Sequence, residues 1–268
     1  MKIKSLGQRS NLITSRHDGV LKDRDNYLVV RNDEKPHFFW GNYIIMQSPP
    51  TESDYNRWTD IYKLEFGDRG PINYMTFAWD SPAGEEGTID QFVKNGFVAD
   101  RNIILSATKV NVPLKFNSNI IVKTLESEKD WNDSIEVHIN DEWKFSKDSQ
   151  EGFQKGQMLR KKKLKELGVG KCYGAFLDNK MVGCLSVFMD DNLASMDLVS
   201  THQNFRRQGI CGTLVYTASK LILEQTKVET LVIIADEDYH AAKIYESVGF
   251  KPTEKEVTLQ WYDKKFYG

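Results

Sequence analysis

Residues 198–215, LVSTHQNFRRQGICGTLV, restrict the possible folds of the chain more than any other stretch. A β-prone run leads into a polar, glycine-rich turn, and apolar residues at helical spacing follow. The pattern predicts a strand, a turn and the start of a helix. The unpaired N–H groups of a helix's first turn attract anions such as phosphate. Gly209 lets the backbone approach a ligand where a Cβ atom would collide, and Arg206 and Arg207 can add charge-assisted hydrogen bonds.

Composition excludes several classes of protein. The 268 residues allow one large domain or two small ones, and the 40% of hydrophobic residues suffice for a sizeable core. A formal net charge of −2 argues against a nucleic-acid-binding protein. Three cysteines without C-x-x-C spacing indicate reduced thiols in a cytoplasmic protein, with neither a disulfide frame nor a metal site. Neither a signal peptide nor a run of roughly 20 apolar residues occurs, so we expect no membrane partner.

The second half of the chain alternates strands with helices, which is typical of an α/β domain. The predicted strands there are 120–125, 172–177, 181–188, 193–201, 230–235 and 257–262. The predicted helices there are 130–142, 149–167, one that ends near 226, and 238–248. In the first half, the predicted strands are 26–31, 38–46, 72–79 and 97–108. The predicted helices there are one that starts at a cap on Thr51 or Ser53 and ends at residue 66, and one at about 85–95. Proline and asparagine breakers at 111–119 place a domain boundary after residue 117.

Residues 85–97 and 238–250 share a pattern, a helix followed by Gly-Phe and a strand. In that register Phe92 corresponds to Tyr245. A helix that ends at glycine is common, so the similarity alone does not indicate duplication.

Two motifs in the right order resemble the GNAT superfamily of N-acetyltransferases, over residues 119–262. The family's pyrophosphate motif, Gln/Arg-x-x-Gly-x-Gly/Ala, is matched by RRQGIC at 206–211, where Cys211 takes the last small position. The family's later motif, Asn-x-x-Ala-x-x-Leu-Tyr-x-x-x-Gly-Phe, is matched by DYHAAKIYESVGF at 238–250, where Asp238 replaces asparagine. The resemblance implies a GNAT fold, an α/β fold with a mixed sheet, in the C-terminal half.

The resemblance also implies acetyl-CoA as cosubstrate, in a V-shaped gap between strands 193–201 and 230–235. The backbone of residues 199–201 is expected to bind the pantetheine arm, and N–H groups of residues 208–212 to bind the pyrophosphate. The residues that the resemblance places against the cofactor are Leu198, Val199, Ser200, Thr201, Arg206, Arg207, Gln208, Gly209, Ile210, Cys211, Gly212, Thr213, Asp238 and Ala241.

Two residues are candidates for catalysis. Tyr245 stands at the family's general-acid position, although a core tyrosine would show the same pattern. Asp197 lies on the strand that enters the motif and is a candidate base, and an ordinary strand carboxylate is the alternative. His202 and His240 border the motifs and are interpreted as polar loop or helix-start residues. Cys211 has no paired histidine, which favours packing over a nucleophilic role.

The first half lacks the pyrophosphate motif, and Phe92 has no phenolic proton to donate. Because duplicated GNAT lobes are known in the superfamily, the helix–Gly–Phe similarity gains weight. We expect a tandem arrangement, with a degenerate GNAT-like domain at 1–117 and a catalytic GNAT domain at 118–268. Aromatic residues of the first domain can line an acceptor site or pack in a core; these are Phe38, Phe39, Trp40, Tyr43 and Trp79.

The expected function is transfer of an acetyl group from acetyl-CoA to a primary amine of a small molecule. A protein or peptide amine is the alternative substrate, and a non-catalytic acyl-CoA-binding regulatory protein is the alternative class. A nucleotide-binding module is disfavoured because no Gly-Lys-Ser/Thr phosphate loop is present. The sequence leaves open the identity of the acceptor, the general base and the oligomeric state.

Overall fold

The computed structural model describes residues 1–139, 147–238 and 240–267 of the chain. The helices are α1 (Leu6–Asp18), α2 (Asp54–Phe66), α3 (Asp90–Lys94), α4 (Glu128–His138), α5 (Lys147–Glu166), α6 (Ile210–Gln225), α7 (Ala241–Val248) and α8 (Lys264–Tyr267). The strands are β1 (Val20–Asp23), β2 (Tyr27–Arg31), β3 (Tyr43–Met46), β4 (Tyr74–Trp79), β5 (Val98–Ala107), β6 (Ile121–Thr124), β7 (Gly170–Leu177), β8 (Lys180–Asp190), β9 (Leu193–Thr201), β10 (Thr230–Asp236) and β11 (Lys251–Tyr262).

The chain forms two compact units. Unit 1 consists of Met1–Ile104 together with Thr253–Gly268, and unit 2 consists of Leu105–Pro252. The strand order in unit 1 is β1-β2-β3-β4-β11-β5, and the order in unit 2 is β10-β9-β8-β7-β6. Each unit combines parallel with antiparallel pairs: β3 and β4 are parallel in unit 1, and β9 and β10 are parallel in unit 2. The predicted α/β class with mixed sheets is confirmed.

Both units contain the same strand–helix–strand–helix succession. Helix α2 connects the parallel strands β3 and β4, and α6 connects the parallel strands β9 and β10. A shorter helix follows in each case and ends at a glycine with positive φ, Gly96 at 88° and Gly249 at 113°. The next residue, Phe97 or Phe250, is buried. The similarity seen in the sequence therefore marks equivalent positions in two units of similar topology.

Aromatic residues form the core of unit 1. Trp58 of α2 packs against Phe77 of β4 and Phe92 of α3, with ring centroids 5.5 Å and 5.4 Å apart. Strand β11 adds Val257 and Leu259 to the same cluster. The core of unit 1 is thus completed by a strand that lies almost at the C-terminal end of the chain.

Two of the aromatic residues considered for an acceptor site belong to this core. Tyr43 and Trp79 are buried in unit 1. Phe39 is partly buried and stacks on Tyr74, with ring centroids 4.4 Å apart, and Trp40 packs edge-on against Tyr43. The packing interpretation therefore describes these side chains.

The sequence pattern made no prediction for residues 1–23, which form α1 and β1. N–H groups at the start of α1 donate hydrogen bonds to the carboxylates of Asp80 and Glu254, each at 2.7 Å. Such bonds satisfy donors that a helix leaves unpaired. The buried face of α1 includes the polar residues Gln8, Ser10 and Ser15, so the apolar periodicity that marks a buried helix is weak.

Several predicted elements differ in length from those observed. The strand predicted at 38–46 is shortened to β3, because the Asn42 side chain donates to the carbonyls of Lys35 and Phe38 and closes a turn there. The helix predicted at 85–95 contracts to α3, and α7 begins three residues later than predicted. Helix α4 ends at His138, and residues 140–142 of its predicted span lie outside the described residues.

Replacing Glu256 with glutamine is expected to stabilise the protein above pH 7 and not near pH 4.5. Burial raises the pKa of Glu256 to about 7, and the like charge of Glu254 adds to this effect. The folded state therefore keeps a proton that the unfolded state loses above about pH 4.5, and stability falls by on the order of 3 kcal/mol as the pH rises to about 7. The glutamine variant has no carboxyl group to titrate and therefore does not lose stability as the pH rises. Its side-chain carbonyl can still accept from the Gln8 amide, which donates to Glu256 at 2.6 Å in the wild type.

The measurement is urea unfolding of wild type and Glu256→Gln at pH 5 and pH 8. The difference in unfolding free energy between the two proteins should grow with pH. The same difference at both values would contradict a raised pKa at Glu256.

Candidate functional site

Strand β9 contains a bulge in the predicted cofactor-binding segment. Ser186 of β8 lies opposite Asp197, and Cys184 lies opposite Ser200. Between these two pairs, β8 has one residue whereas β9 has two, so β9 contains one extra residue. Leu198 adopts φ of 50°, a left-handed conformation that costs a leucine about 1–2 kcal/mol. The extra residue brings the side chains of Asp197 and Ser200 to the same face of the sheet.

The parallel pairing of β9 with β10 ends before the bulge. It runs from Leu193 opposite Thr230 to Met196 opposite Ile233. Residues 198–201 follow the last pair and are partly exposed. The backbone of this segment on the β10 side is therefore open to an extended ligand that bonds to it as a strand would.

A buried hydroxyl in the same segment supports this interpretation. The Oγ1 atom of Thr201 is buried and has no hydrogen-bond partner among the residues that the structure describes. Leaving a buried hydroxyl unbonded costs about 1–3 kcal/mol. An orphaned polar atom is expected where a polar ligand binds.

The turn after β9 leads into α6 as the sequence predicts. Arg206, Arg207 and Gln208 are exposed, and Gly209 caps the helix with φ of 77°. Ile210 is the first helical residue and is buried. The first turn of α6 contains no acidic residue. Exposed arginines next to a helix N-terminus fit a phosphate or pyrophosphate group.

A segment that precedes β6 holds this turn in place. The Asn117 N–H donates to the Thr213 hydroxyl at 2.8 Å, and the Asn117 side-chain amide donates to the carbonyl of Gln208 at 2.9 Å. In the sequence, Cys211 lies between Gln208 and Thr213. Burial raises the pKa of its thiol to about 12. Cys211 is therefore a protonated thiol, in agreement with packing rather than nucleophilic chemistry.

Gly209 is required for a reason that the sequence did not reveal. A Cβ atom at this position would lie 2.1 Å from the carbonyl oxygen of Lys115. The close neighbour is therefore the chain's own backbone, whereas the sequence had assigned the approach to a ligand. At Gly212 the nearest neighbours of an added Cβ atom would be Pro113 at 3.5 Å and Ile244 at 3.6 Å, which is ordinary packing.

Substituting alanine at Gly209 is expected to lower the melting temperature and to weaken CoA binding. The left-handed conformation costs alanine about 1–2 kcal/mol, and the clash with Lys115 displaces the turn. Gly212→Ala is the matched control, because its Cβ fits and alanine is favoured over glycine inside a helix by about 0.5–1 kcal/mol. Thermal unfolding with and without CoA measures both effects. Equal melting temperatures and equal CoA-induced shifts in the two variants would contradict this account of Gly209.

The second motif forms the turn before α7 and α7 itself, which packs against α6. Asp238 is exposed, and its N–H donates to Asp236 at 2.8 Å. Ala241 is the first residue of the helix, and Tyr245 is buried on its inner face. The structure therefore joins the two motifs through adjacent helices of unit 2.

A buried polar cluster beside β9 was missed by sequence reasoning. His138 is the last residue of α4, and its Nδ1 atom lies 2.9 Å from the Ser200 hydroxyl. On the other side of the ring, Nε2 lies 3.3 Å from the Cys184 sulfur and 3.4 Å from the Lys161 ammonium. Burial, and secondly the charge of Lys161, hold the pKa of His138 well below its usual value. No local motif marks this cluster, because its members come from four separate elements.

Asp197 lies on the face of the sheet that carries this cluster. It pairs with Ser186, whose hydroxyl is 3.3 Å from the sulfur of Cys172. Burial raises the pKa of Cys172, and the charge of Asp197 adds a smaller increase. The bulge therefore brings Asp197, Ser200 and the His138 cluster together on the α4 face.

The equivalent helix start in unit 1 has the opposite charge. Asp54 occupies the first turn of α2 and accepts hydrogen bonds from the Thr51 N–H at 2.8 Å and the Thr51 hydroxyl at 2.9 Å. Arg57 also donates to Asp54, at 2.7 Å. A carboxylate in this position repels phosphate, so the helix start of unit 1 does not fit a pyrophosphate group.

In the parts of the chain that the structure describes, no group of three or more histidine, cysteine or acidic side chains could hold a metal ion. Among the same residues, no helix combines the length and the apolar character needed to cross a membrane.

The family comparison identifies one domain. Residues 143–263 match the family model described as acetyltransferase (GNAT) domain. The curated proteins compared with the chain include no match.

Solved structures share the fold over almost the whole chain. A functionally unknown conserved protein from Staphylococcus epidermidis is 15% identical, with a TM-score of 0.74 over 91% of this chain and 94% of that chain. A GCN5-related N-acetyltransferase from Kribbella flavida is 13% identical, with a TM-score of 0.65 over 96% and 95%. A tandem GNAT protein from the clavulanic acid biosynthesis pathway is 13% identical, with a TM-score of 0.54 over 95% and 87%. The predicted GNAT fold in a tandem arrangement is confirmed.

Proposed function

We propose that this chain, a member of the GNAT superfamily with a tandem arrangement, transfers an acetyl group from acetyl-CoA to a primary amine of a small molecule. The observation that carries the proposal is the bulged end of β9 beside the arginine-flanked start of α6. An open strand segment and an anion-binding helix start lie next to each other in sequence and fold, as a pantetheine arm with a pyrophosphate requires. The equivalent region of unit 1 carries Asp54 instead, so unit 2 is the proposed catalytic unit.

Different residues of unit 2 bind different parts of the cosubstrate in this proposal. Backbone groups of residues 199–201 bond the pantetheine arm, and the Thr201 hydroxyl gains the partner that it lacks. N–H groups of residues 208–212 hold the pyrophosphate, and Arg206 and Arg207 add charge. Three further residues position these segments. Leu198 does so through the bulge, Thr213 through its hydrogen bond with Asn117, and Ala241 as the first residue of α7.

The thioester supplies the acetyl group, and the chain supplies proton transfer. Asp197 is the proposed base that accepts a proton from the amine, and Tyr245 is the proposed acid that donates a proton to the departing thiolate. Cys211 remains a thiol and takes no part. The amine attacks the thioester carbonyl directly, without an acyl-enzyme intermediate.

Two departures from the family motifs favour the alternative of a non-catalytic acyl-CoA-binding protein. Cys211 replaces a glycine or alanine, and Asp238 lacks the amide donor of asparagine. A protein or peptide amine is the alternative acceptor for a catalytic protein. The N-terminal unit is proposed to support unit 2 structurally, and a cytoplasmic location is proposed from the reduced thiols.

The test is release of free thiol from acetyl-CoA with a panel of small primary amines and peptides, alongside thermal unfolding with CoA. We expect a CoA-induced rise in melting temperature and thiol release with at least one small amine. A rise without turnover on any acceptor supports the non-catalytic alternative. Turnover on peptides alone supports the alternative substrate.

A further inference from the structure

The cluster around His138 contains an ammonium and a thiol on one side of the ring and a hydroxyl on the other. Lys161 and Cys184 approach Nε2, and Ser200 approaches Nδ1. His138 and Lys161 are each 7% exposed. Within the described part of the chain, no carboxylate forms an ion pair with Lys161, whose neighbour is the histidine ring. The cluster therefore consists of one cation and neutral groups.

The chemistry of the neighbours fixes the position of the ring proton. An ammonium group has three hydrogens and cannot accept a hydrogen bond. The thiol of Cys184 also lies 4.0 Å from the carbonyl oxygen of Ser134, to which it can donate its one hydrogen, so Cys184 does not decide where the ring proton lies. The Lys161 ammonium can only donate to Nε2, so Nε2 must carry the lone pair. The proton of the neutral ring is then on Nδ1 and is donated to the oxygen of Ser200.

This arrangement orients the Ser200 hydroxyl. Its oxygen accepts from His138, so its own hydrogen points away from the ring and can be donated to another group. In the described residues, His138 is the one hydrogen-bond partner of this oxygen. Ser200 is partly exposed and lies at the end of β9. A directed donor therefore faces the proposed binding site.

The direction of the Ser200 side chain decides which ligand it can contact. A pantetheine arm that bonds to the edge of β9 lies in the plane of the sheet, whereas side chains stand perpendicular to it. Because of the bulge, Ser200 projects to the same face as Asp197, the face on which α4 packs. A ligand other than the pantetheine arm is therefore needed to accept from Ser200, and the proposed reaction supplies the amine substrate.

We propose that His138 is a positioning residue that holds Ser200 as a hydrogen-bond donor to an oxygen atom of the amine substrate. The substrate class is a primary amine that carries a hydroxyl, carbonyl or carboxylate oxygen near its amino group. The inference rests on the proposed acetyl transfer for the identity of the ligand. The tautomer of His138 rests on the geometry of the cluster alone.

The first experiment determines the tautomer without any substrate. Long-range proton–nitrogen correlation spectra of the ¹⁵N-labelled full chain distinguish a proton on Nδ1 from one on Nε2. The ring signals are assigned by loss in His138→Asn or, if that variant does not fold, by substituting the other four histidines one at a time. We expect a neutral ring with the proton on Nδ1.

The ring is also expected to stay neutral between about pH 6.5, where an ordinary histidine is half protonated, and pH 8, because burial holds the pKa of His138 well below its usual value. Among the described residues, the titratable groups that face the cluster are Lys161 from α5, Cys184 from β8, Cys172 from β7 and Asp197 from β9. A proton on Nε2, or titration of the ring within this range, would overturn the positioning role.

The second experiment measures affinity for pairs of amines that differ by a single oxygen atom, in the presence of CoA. Ser200→Ala is expected to weaken binding of the oxygen-bearing amine about three- to tenfold, the usual effect of one neutral hydrogen bond, and to leave the partner amine unchanged. His138→Leu should reproduce this pattern. His138→Asn should restore affinity, since its amide can donate from a position close to that of Nδ1. Ser219→Ala is the matched control, a buried serine of α6 whose hydroxyl contacts the Met196 sulfur at 3.8 Å.

The outcomes separate this inference from the proposed function. Equal weakening for both amines, or no binding of any oxygen-bearing amine, would overturn the substrate contact. Binding with the expected selectivity but without thiol release would retain the contact and reject the acetyl transfer.

Discussion

Replacing Tyr245 with phenylalanine is expected to lower kcat by a factor of about 10²–10⁴, the usual contribution of a general acid. In the proposed mechanism the departing thiolate then has no phenol to protonate it. Tyr245 is buried on α7, and phenylalanine fills the same space without the hydroxyl, as Phe92 does at the equivalent position of α3 in unit 1. CoA affinity should therefore remain unchanged. Steady-state kinetics on the best amine of the panel, with CoA titrated by calorimetry, measures both quantities.

Tyr173→Phe provides the control for loss of a buried phenol. Tyr173 is buried on β7 of the same unit, where burial raises its pKa to about 12. Its replacement is expected to leave turnover unchanged. Equal turnover in wild type and Tyr245→Phe would assign Tyr245 to the core. A parallel loss of CoA affinity would point to a binding role.

The fragment 118–268 is expected to be insoluble or unfolded when produced alone. Strand β11 pairs with β4 from Thr258 opposite Ala78 to Tyr262 opposite Tyr74. Its Val257 side chain is buried in the aromatic core of unit 1. Removing residues 1–117 deprives β11 of these partners and leaves an apolar strand with an unpaired edge, which favours aggregation. Gel filtration and thermal unfolding of the fragment measure the effect.

Production of 1–117 together with 118–268 is the matched control, because fragment 1–117 contains β4 and β5, the two neighbours of β11 in the sheet. The two fragments are expected to associate into one soluble complex. A monomeric fragment 118–268 that unfolds cooperatively and transfers acetyl groups would contradict a required role for the first half of the chain.

Local signals predicted the elements around the site. Strand β9 was predicted with the bounds that the structure has, and the hairpin of β7 and β8 turns at Asp178 and Asn179, which both adopt positive φ. These features follow from alternation, turn residues and helical spacing in neighbouring residues. The Gly-Phe endings of α3 and α7 likewise depend on a few adjacent residues.

Features that depend on distant residues could not be predicted. The His138 cluster joins α4, α5, β8 and β9, and no periodicity in any one element reveals it. The contact of Lys115 with Gly209 depends on the path of a loop. Helix α1 was missed because Gln8 and other polar residues occupy its buried face. The assignment of β11 to unit 1 depends on its pairing with β4, which a pattern within β11 cannot specify.

The membership of β11 in unit 1 also sets an order for biosynthesis. Residues 253–262 are synthesised after all of unit 2, so the sheet of unit 1 cannot be completed before unit 2 has been synthesised. The general rule that the N-terminal part of a chain folds first therefore cannot apply to unit 1 as a whole. Until β11 is available, β4 has an open edge, which favours pairing with other chains.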